Sequence, residues 1–279
     1  MKTRIISAIV GLFILAPFFY YSSTYAFCII ISLVSIIGVY EMLKCVKIQK
    51  LYSISIPLYI LAIITPIFAH YYKESSDMFP LITVTGIFIF LMYLFANIVF
   101  RHDPPLTDIL SGFMSVLYIL AGFVSLVLLA DSDGGEWILI LVFVAAWVTD
   151  IFAYFCGVFF GHHKLIPHVS PKKTIEGSIG GIVFCTLGCT VFGILISRFT
   201  PYTTNYALMI ACGIILSVVS QIGDLVMSVI KRHYCIKDYG KLIPGHGGIL
   251  DRFDSIISVS LVLYIILQTS KIFFDIQLF

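Results

Sequence analysis

A polar stretch at residues 228–254, SVIKRHYCIKDYGKLIPGHGGILDRFD, lies between two long apolar runs and holds residue types that bind phosphate. Basic side chains neutralise phosphate charge, and glycines let a backbone approach a ligand closely. The composition predicts a site for a magnesium-bound polyphosphate at a membrane surface, whereas the alternative is a solvated loop between two helices. The candidate residues in this stretch are Lys231, Lys237, Asp238, His246, Gly247, Gly248, Asp251 and Arg252.

Two further acids lie inside apolar runs of the sequence. Asp150 is about ten residues from the inner end of its run, hence on the order of 15 Å deep. An ionisable group in a span costs roughly 2.5–3.5 kcal/mol on insertion scales and normally faces a wet cavity or a partner. Asp224 belongs to a polar stripe at helical spacing, which should face the protein interior and lead to the cytoplasmic surface. The stripe consists of Ser217, Gln221, Asp224, Ser228 and Lys231.

Acids on two separate spans that approach the same membrane face favour a metal site. Carboxylates are natural ligands for Mg²⁺, which keeps some waters and takes the rest of its shell from substrate phosphates. Asp251 could complete the shell begun by Asp224, with Asp150 supporting the site. The competing interpretations are a hydrogen-bonded acid without a chemical role at Asp150 and a structural polar seam around Asp224.

A second basic segment, GHHKLIPHVSPKKTIEG at residues 161–177, precedes a predicted helix. Ser170 or Thr174 could cap that helix, and backbone N–H groups at a helix N-terminus favour phosphate. Lys172 and Lys173 lie beside the cap, so the segment is a candidate for phosphate binding. The alternative is an ordinary basic loop on the cytoplasmic side.

The elements that must position these residues are transmembrane helices. Apolar residues make up 60% of the chain and charged residues 11%, with a mean hydropathy of +1.05, whereas roughly 25% charged is usual in soluble domains. The apolar runs are long enough to cross a bilayer. The sequence therefore predicts an all-α, polytopic transmembrane helix bundle with nine spans at 5–20, 25–43, 54–70, 79–100, 109–130, 137–160, 177–197, 206–230 and 255–274.

The distribution of lysine and arginine predicts the orientation of the spans. With the N-terminus inside, the inner segments hold 14 of the 17 basic residues, and only Lys73, Arg198 and Lys271 lie outside. Cytoplasmic loops carry the excess of basic residues, so the predicted topology is N-in and C-out. Residues 1–105 are interpreted as packing or assembly helices and residues 106–279 as the catalytic region.

The motif S-V-I-K-R-x4-K-D-Y-G-x2-I-P-G-H-G-G-I-L-D-R-F-D at residues 228–254 closely resembles the signature of the phosphatidate cytidylyltransferases, the CDP-diacylglycerol synthases. Three other segments also resemble that family: T-D-I-F-A-Y-F-C-G at 149–157, S-P-K-K-T-I-E-G at 170–177 and Q-I-G-D at 221–224. By motif, the resemblance covers the C-terminal half of the chain.

The resemblance implies a Mg²⁺-dependent reaction of CTP with phosphatidate that yields CDP-diacylglycerol and diphosphate at the cytoplasmic face. It also implies a carboxylate-bound metal centre, with a second cation such as K⁺ as a further expectation. The compact length of the chain suggests an integral protein of the bacterial inner membrane. Carried onto this chain, Asp224 and Asp251 are the first choice as metal ligands. Basic residues would hold the CTP phosphates or the phosphatidate head group (Lys172, Lys173, Lys231, Lys237, Arg252). A homodimer through the N-terminal spans is a further expectation, and no nucleic acid partner is expected.

Two other functions remain open at this point. A CTP-dependent lipid kinase would transfer the γ-phosphate instead of the nucleotide. An ion-coupled secondary transporter also uses intramembrane acids, although it would be expected to show an inverted repeat and paired broken helices in two halves. Here the acids and glycine motifs are confined to one half of the chain, which favours the transferase.

Overall fold

The computed structural model describes residues 19, 21–71, 106–243, 245, 247–274 and 278. Within these ranges the chain is helical apart from one two-stranded hairpin. The helices are α1 (Tyr25–Cys45), α2 (Tyr52–Tyr71), α3 (Leu106–Ala130), α4 (Gly135–Phe160), α5 (Ile175–Phe199), α6 (Tyr206–His233) and α7 (Leu250–Phe274), and the strands are β1 (Lys164–Ile166) and β2 (Ser170–Thr174).

All seven of these helices are long and apolar enough to cross a membrane. Each corresponds to one predicted span, so the prediction of a polytopic helical membrane protein is confirmed. The predicted spans at 5–20 and 79–100 lie outside the described residues. The total of nine spans and the N-in, C-out orientation therefore stay predictions.

The helices pack as two neighbouring groups that α7 joins. In one group α4 contacts α5, and α5 contacts α6; in the other, α1, α2 and α3 contact one another. Helix α7 packs against α6 and α3, and its buried residues Leu250 and Ile257 belong to the same apolar core as Phe27 and Phe123. The two groups thus share one core.

The contact between α4 and α5 depends on glycine. A Cβ atom at Gly177 would lie 2.5 Å from the backbone oxygen of Ala153, which is closer than real Cβ contacts allow. Small residues at helix contacts allow this close approach of backbones in membrane proteins. The close approach brings the start of α5, and the strand that precedes it, against the second half of α4.

We expect Gly177→Ala to lower activity strongly, because its methyl group can be accommodated only by moving the α4 backbone. Gly188→Ala is the matched control on the same helix, since a Cβ there meets only the side chain of Val148 at 3.4 Å. Activity per milligram of purified membrane protein is the measurement. Equal activities for the two variants would show that the α4–α5 spacing is not needed.

The hairpin of β1 and β2 lies where the sequence predicts only a loop before α5. The strands are antiparallel, with Lys164 opposite Thr174 and Ile166 opposite Ser170. Three- and five-residue strands are too short to produce an alternating pattern that sequence inspection can detect. Of the two candidate caps, Thr174 is the one used: its Oγ1 accepts a hydrogen bond from the backbone N–H of Gly177 at 3.1 Å.

Candidate active site

The polar stripe of α6 faces the protein interior, as its spacing predicts. Ser217 is fully buried and accepts a hydrogen bond from the Thr149 hydroxyl of α4 at 3.0 Å. One turn on, the Gln221 side-chain amide donates to the backbone oxygen of Ser178 on α5 at 3.3 Å. Ser217 and Gln221 thus find partners on neighbouring helices, and the stripe continues to Asp224, which accepts a hydrogen bond from the Ser228 hydroxyl of the same helix at 3.5 Å.

Three carboxylates from three helices lie near one another at the middle of this polar face. Asp224 of α6 forms an ion pair with Lys173 of β2, with 2.5 Å between Oδ2 and Nζ. Asp150 of α4 and Asp254 of α7 both lie within electrostatic range of Asp224 and of each other. We call Asp150, Asp224 and Asp254 the acid cluster. Its negative charge is offset by Lys173, Lys231 and Arg252, which lie within electrostatic range of its members.

Asp254 is a member of this cluster that sequence reasoning did not select. In the sequence Asp254 is the last residue of the motif at 228–254, where it ends the run D-R-F-D, and it precedes the predicted span at 255–274. On a helix, Asp254 lies about one turn after Asp251, and the helix geometry then determines where its side chain points. Recognising D-R-x-D as a helical turn is the signal that could have identified it.

Asp251 has a different environment from the acid cluster. Its Oδ1 forms a buried ion pair with Lys231 Nζ at 2.9 Å, and the side chain is 4% exposed. Its Oδ2 accepts hydrogen bonds from the backbone N–H groups of Tyr239 at 2.8 Å and Gly248 at 3.0 Å. Both carboxylate oxygens of Asp251 are therefore engaged in holding the segment between α6 and α7.

Tyr239 anchors the same segment from the other side. Its hydroxyl donates to the backbone oxygen of Met227 at 2.9 Å, and the Lys231 ammonium lies 5.3 Å from its ring centroid. Burial raises the pKa of the Tyr239 hydroxyl above its usual range, so the group remains a neutral donor. Gly247, at φ +90°, pairs with Ile243 to close the turn.

Helix α7 begins at Leu250, five residues before the predicted start at residue 255. The carboxylate of Glu41 on α1 accepts hydrogen bonds from the backbone N–H groups of Ile249 at 3.1 Å and Leu250 at 2.9 Å. Backbone N–H groups at a helix N-terminus have no partners within the helix. Because Glu41 accepts hydrogen bonds from two of them, α7 can begin at Leu250. Glu41 lies in the region 1–105, and sequence reasoning missed it because its partner is more than 200 residues away in the chain.

The remaining predicted site residues differ in accessibility. Lys172, Lys237, Asp238 and Arg252 are exposed, and Ser170 is partly buried. Thr174 is buried and used as the α5 cap, and Gly248 is buried against Glu41 and Asp251. His246 lies outside the described residues.

A pocket of about 560 Å³ lies between the C-terminal end of α1 and residues 236–241. Lys44 lines it from α1, and Lys237, Asp238, Tyr239 and Lys241 line it from the segment after α6. Three lysines around one concave surface suit an anionic ligand with several charges. Tyr239 lies between this pocket and the Lys231–Asp251 ion pair.

Among the described residues, no three His, Cys, Asp or Glu side chains are arranged to hold one metal ion. Mg²⁺ does not need such a cage, because it commonly uses one or two carboxylates, several waters and substrate phosphates. In the part of the chain that the structure describes, the Asp254 carboxylate accepts one hydrogen bond, from Ser255 N of its own helix. Asp224 pairs with Lys173 through Oδ2 and accepts a long hydrogen bond of 3.5 Å from the Ser228 hydroxyl through Oδ1, and its side chain is about one quarter exposed. Asp224 and Asp254 therefore have coordination capacity left for such an ion, whereas Asp251 has little.

Comparisons with known proteins agree over nearly the whole chain. Residues 2–270 match the model of the cytidylyltransferase family. Phosphatidate cytidylyltransferase of Staphylococcus haemolyticus strain JCSC1435 is 36% identical over 269 residues, which cover 96% of this chain and 99% of that protein. The protein of the same name from Staphylococcus aureus strain COL is 34% identical over 272 residues, covering 97% and 100%.

Proposed function

The chain belongs to the cytidylyltransferase family, and we propose that it transfers the cytidylyl group of CTP to phosphatidate at the acid cluster. It is a nucleotidyltransferase of phospholipid biosynthesis, and its products are CDP-diacylglycerol and diphosphate. The observation that supports this site is the meeting of Asp150, Asp224 and Asp254 with Lys173 and Arg252, all on or beside membrane helices.

The site suits one lipid substrate and one water-soluble substrate. Asp150 is exposed on α4 next to large exposed apolar side chains, including Ile151 and Tyr154, which are 50% and 65% exposed. A lipid can approach the acid cluster laterally along this apolar surface of α4. Its three lysines make the pocket at the end of α1 the best candidate for the entry of the CTP triphosphate from the aqueous phase. We propose that phosphatidate approaches along α4 and CTP enters from the pocket.

Mg²⁺ would be held by Asp224 and Asp254, with Asp150 supporting the site, and a second cation such as K⁺ could share these carboxylates. When bound, the metal would supply charge stabilisation for the phosphates. The sequence also suggested Asp251 as a ligand. Its hydrogen bonds favour a structural role, in which it keeps Lys231 and the segment 239–248 in place.

In the reaction, a phosphate oxygen of phosphatidate forms a bond to the α-phosphorus of CTP, and the bond from that phosphorus to the bridging oxygen of the diphosphate breaks. The attacking oxygen is already anionic near neutral pH, so no general base is required. Positioning and charge neutralisation are what the chain must supply. Lys172, Lys173, Lys237 and Arg252 would bind the phosphates, while Lys231 acts through its ion pair with Asp251.

The protein is an integral membrane protein, and its bacterial relatives indicate the inner membrane. We propose that the acid cluster faces the cytoplasm, with the chain N-in and C-out. Contacts such as Glu41 with Leu250 and Lys173 with Asp224 join the lysine-rich ends of the helices on one side of the bundle, which supports this orientation. A homodimer through the N-terminal spans remains a proposal.

The test is to incubate the purified protein in detergent with phosphatidate and CTP labelled at either the α- or the γ-phosphorus. We expect the lipid to gain label from α-labelled CTP only. Removing divalent metal with a chelator should abolish labelling, and added Mg²⁺ should restore it. Transfer of the γ-label to lipid would instead identify a CTP-dependent lipid kinase, and labelling that persists without divalent metal would refute the Mg²⁺ proposal.

A further inference from the structure

Glu41 is a buried carboxylate of α1 that touches none of the acid cluster. Its side chain is enclosed at the C-terminal end of α1, and the residue is 4% exposed. Both of its oxygens accept hydrogen bonds from the start of α7, at Ile249 N and Leu250 N. A charged acceptor bound to two backbone donors at a helix N-terminus is a strong arrangement, because the helix dipole favours negative charge there.

Two glycines make room for this carboxylate. A Cβ atom at Gly240 would overlap Glu41 Oε1, and a Cβ atom at Gly248 would overlap the same oxygen. Any side chain at either position would displace the carboxylate or the segment that carries the glycine. Glu41 is therefore enclosed by residues from both ends of the segment 240–248.

Asp251 holds the same segment from the opposite side. Its Oδ2 accepts hydrogen bonds from Tyr239 N and Gly248 N, so Gly248 lies between two carboxylates. Glu41 comes from α1 and Asp251 from α7. Together they hold the backbone at residues 239–240 next to residues 248–250. Of the three pocket lysines, Lys241 belongs to this held segment and Lys237 lies two residues before it.

We infer that Glu41 is a positioning residue for the transferase reaction: it holds the segment 236–250 against α1, so that the pocket lysines and the first turn of α7 have the geometry that CTP requires. The inference rests on the proposed function. It gives the N-terminal part of the chain a role in CTP binding and turnover in addition to helix packing. Lys44, one helical turn after Glu41 on α1, lines the same pocket, so α1 also contributes a charge to it.

The experiment compares Glu41→Gln and Glu41→Asp with the unmodified full-length enzyme in detergent. Glutamine keeps the size of the side chain but directs an N–H₂ group at one backbone donor, and aspartate keeps the charge but is one methylene shorter. We expect Glu41→Gln to lower kcat/KM for CTP by about tenfold to a hundredfold. The KM for phosphatidate should be unchanged, and Glu41→Asp should recover part of the loss.

Ser35→Ala is the matched control, because Ser35 is a fully buried polar residue of the same helix whose hydroxyl has no hydrogen-bond partner among the described residues. It should keep the kinetics of the unmodified enzyme. Hydrogen exchange gives a readout that does not depend on activity. Amides of residues 248–250 should exchange faster in Glu41→Gln, whereas those in the middle of α7 should not.

A double-mutant cycle tests the contact itself. Gly240→Ala should lower kcat/KM for CTP in the otherwise unmodified enzyme, because the added methyl group overlaps the Glu41 carboxylate. In a Glu41→Ala background, Gly240→Ala should cause a much smaller additional loss of kcat/KM for CTP, because the Glu41 carboxylate that it would overlap is absent. Equal losses in both backgrounds would overturn the assignment of this contact.

Two results would overturn the positioning role. One is a Glu41→Gln enzyme with unchanged CTP kinetics. The other is a variant that yields less folded protein while the folded fraction keeps its kcat and its KM for CTP, since that is the result of a purely structural role. If the unmodified enzyme made no CDP-diacylglycerol, the proposed function would fail, and the exchange measurement would still decide whether Glu41 holds the segment.

Discussion

Asp224→Asn should lose about a thousandfold in turnover while the protein remains folded and inserted. Asparagine keeps the size of the side chain but removes the charge at the centre of the acid cluster, where Mg²⁺ and the phosphates are proposed to meet. The ion-pair partner of Asp224 is Lys173. Each side chain is about one quarter exposed, but the Lys173 Nζ atom itself is buried, so losing the charge of Asp224 should cost roughly 1–3 kcal/mol of folding free energy, less than the loss of a fully buried ion pair. Steady-state turnover and thermal unfolding in detergent are the two measurements.

Asp133→Asn provides the comparison for this variant, because Asp133 is an exposed acid in the turn between α3 and α4. It should leave both turnover and unfolding temperature unchanged. Near-normal turnover of Asp224→Asn would remove Asp224 from the catalytic centre. Loss of turnover together with a large drop in unfolding temperature would mean that Asp224 is needed for the fold instead.

Helix spacing and hydropathy were sufficient to predict the transmembrane helices and the inward face of α6. Period and length are local properties, and a stripe of polar residues on an apolar helix has only one favourable direction, which is toward the interior. Ser217 and Gln221 therefore find partners on α4 and α5, as expected. The same spacing identified Asp224, and burial cost identified Asp150.

The sequence could not reveal that the start of α7 is capped by a residue from a distant part of the chain. The start of α7 depends on Glu41, and no local pattern connects residue 41 with residue 250. Without that cap, residues 250–254 resembled a charged loop, and Asp254 was not distinguished from Asp251. The two aspartates of D-R-x-D then face different surroundings: Asp254 lies with Asp150 and Asp224, and Asp251 lies with Lys231.

Because Asp251 is paired with the buried Lys231, its substitution should affect folding more than that of Asp224. Asp251→Asn should destabilise the protein as well as inactivate it, because Lys231 would be left buried without its anion. Breaking a buried ion pair by removing one partner costs about 3–5 kcal/mol. Asparagine would also direct an N–H₂ group at either the Lys231 ammonium or the two backbone donors, Tyr239 N and Gly248 N. Thermal unfolding and turnover should therefore fall together, in contrast to Asp224→Asn.

Lys231→Met separates the ion pair from the backbone hydrogen bonds of Asp251. This variant leaves the bonds to Tyr239 N and Gly248 N intact, so it should destabilise less than Asp251→Asn does. In the double variant the two losses should not add, because the two residues share one interaction. An Asp251→Asn protein with normal unfolding temperature and abolished turnover would contradict the structural role. It would place Asp251 beside Asp224 as a direct ligand, because loss of activity without loss of stability is the result expected of a residue that acts on the substrates or the metal.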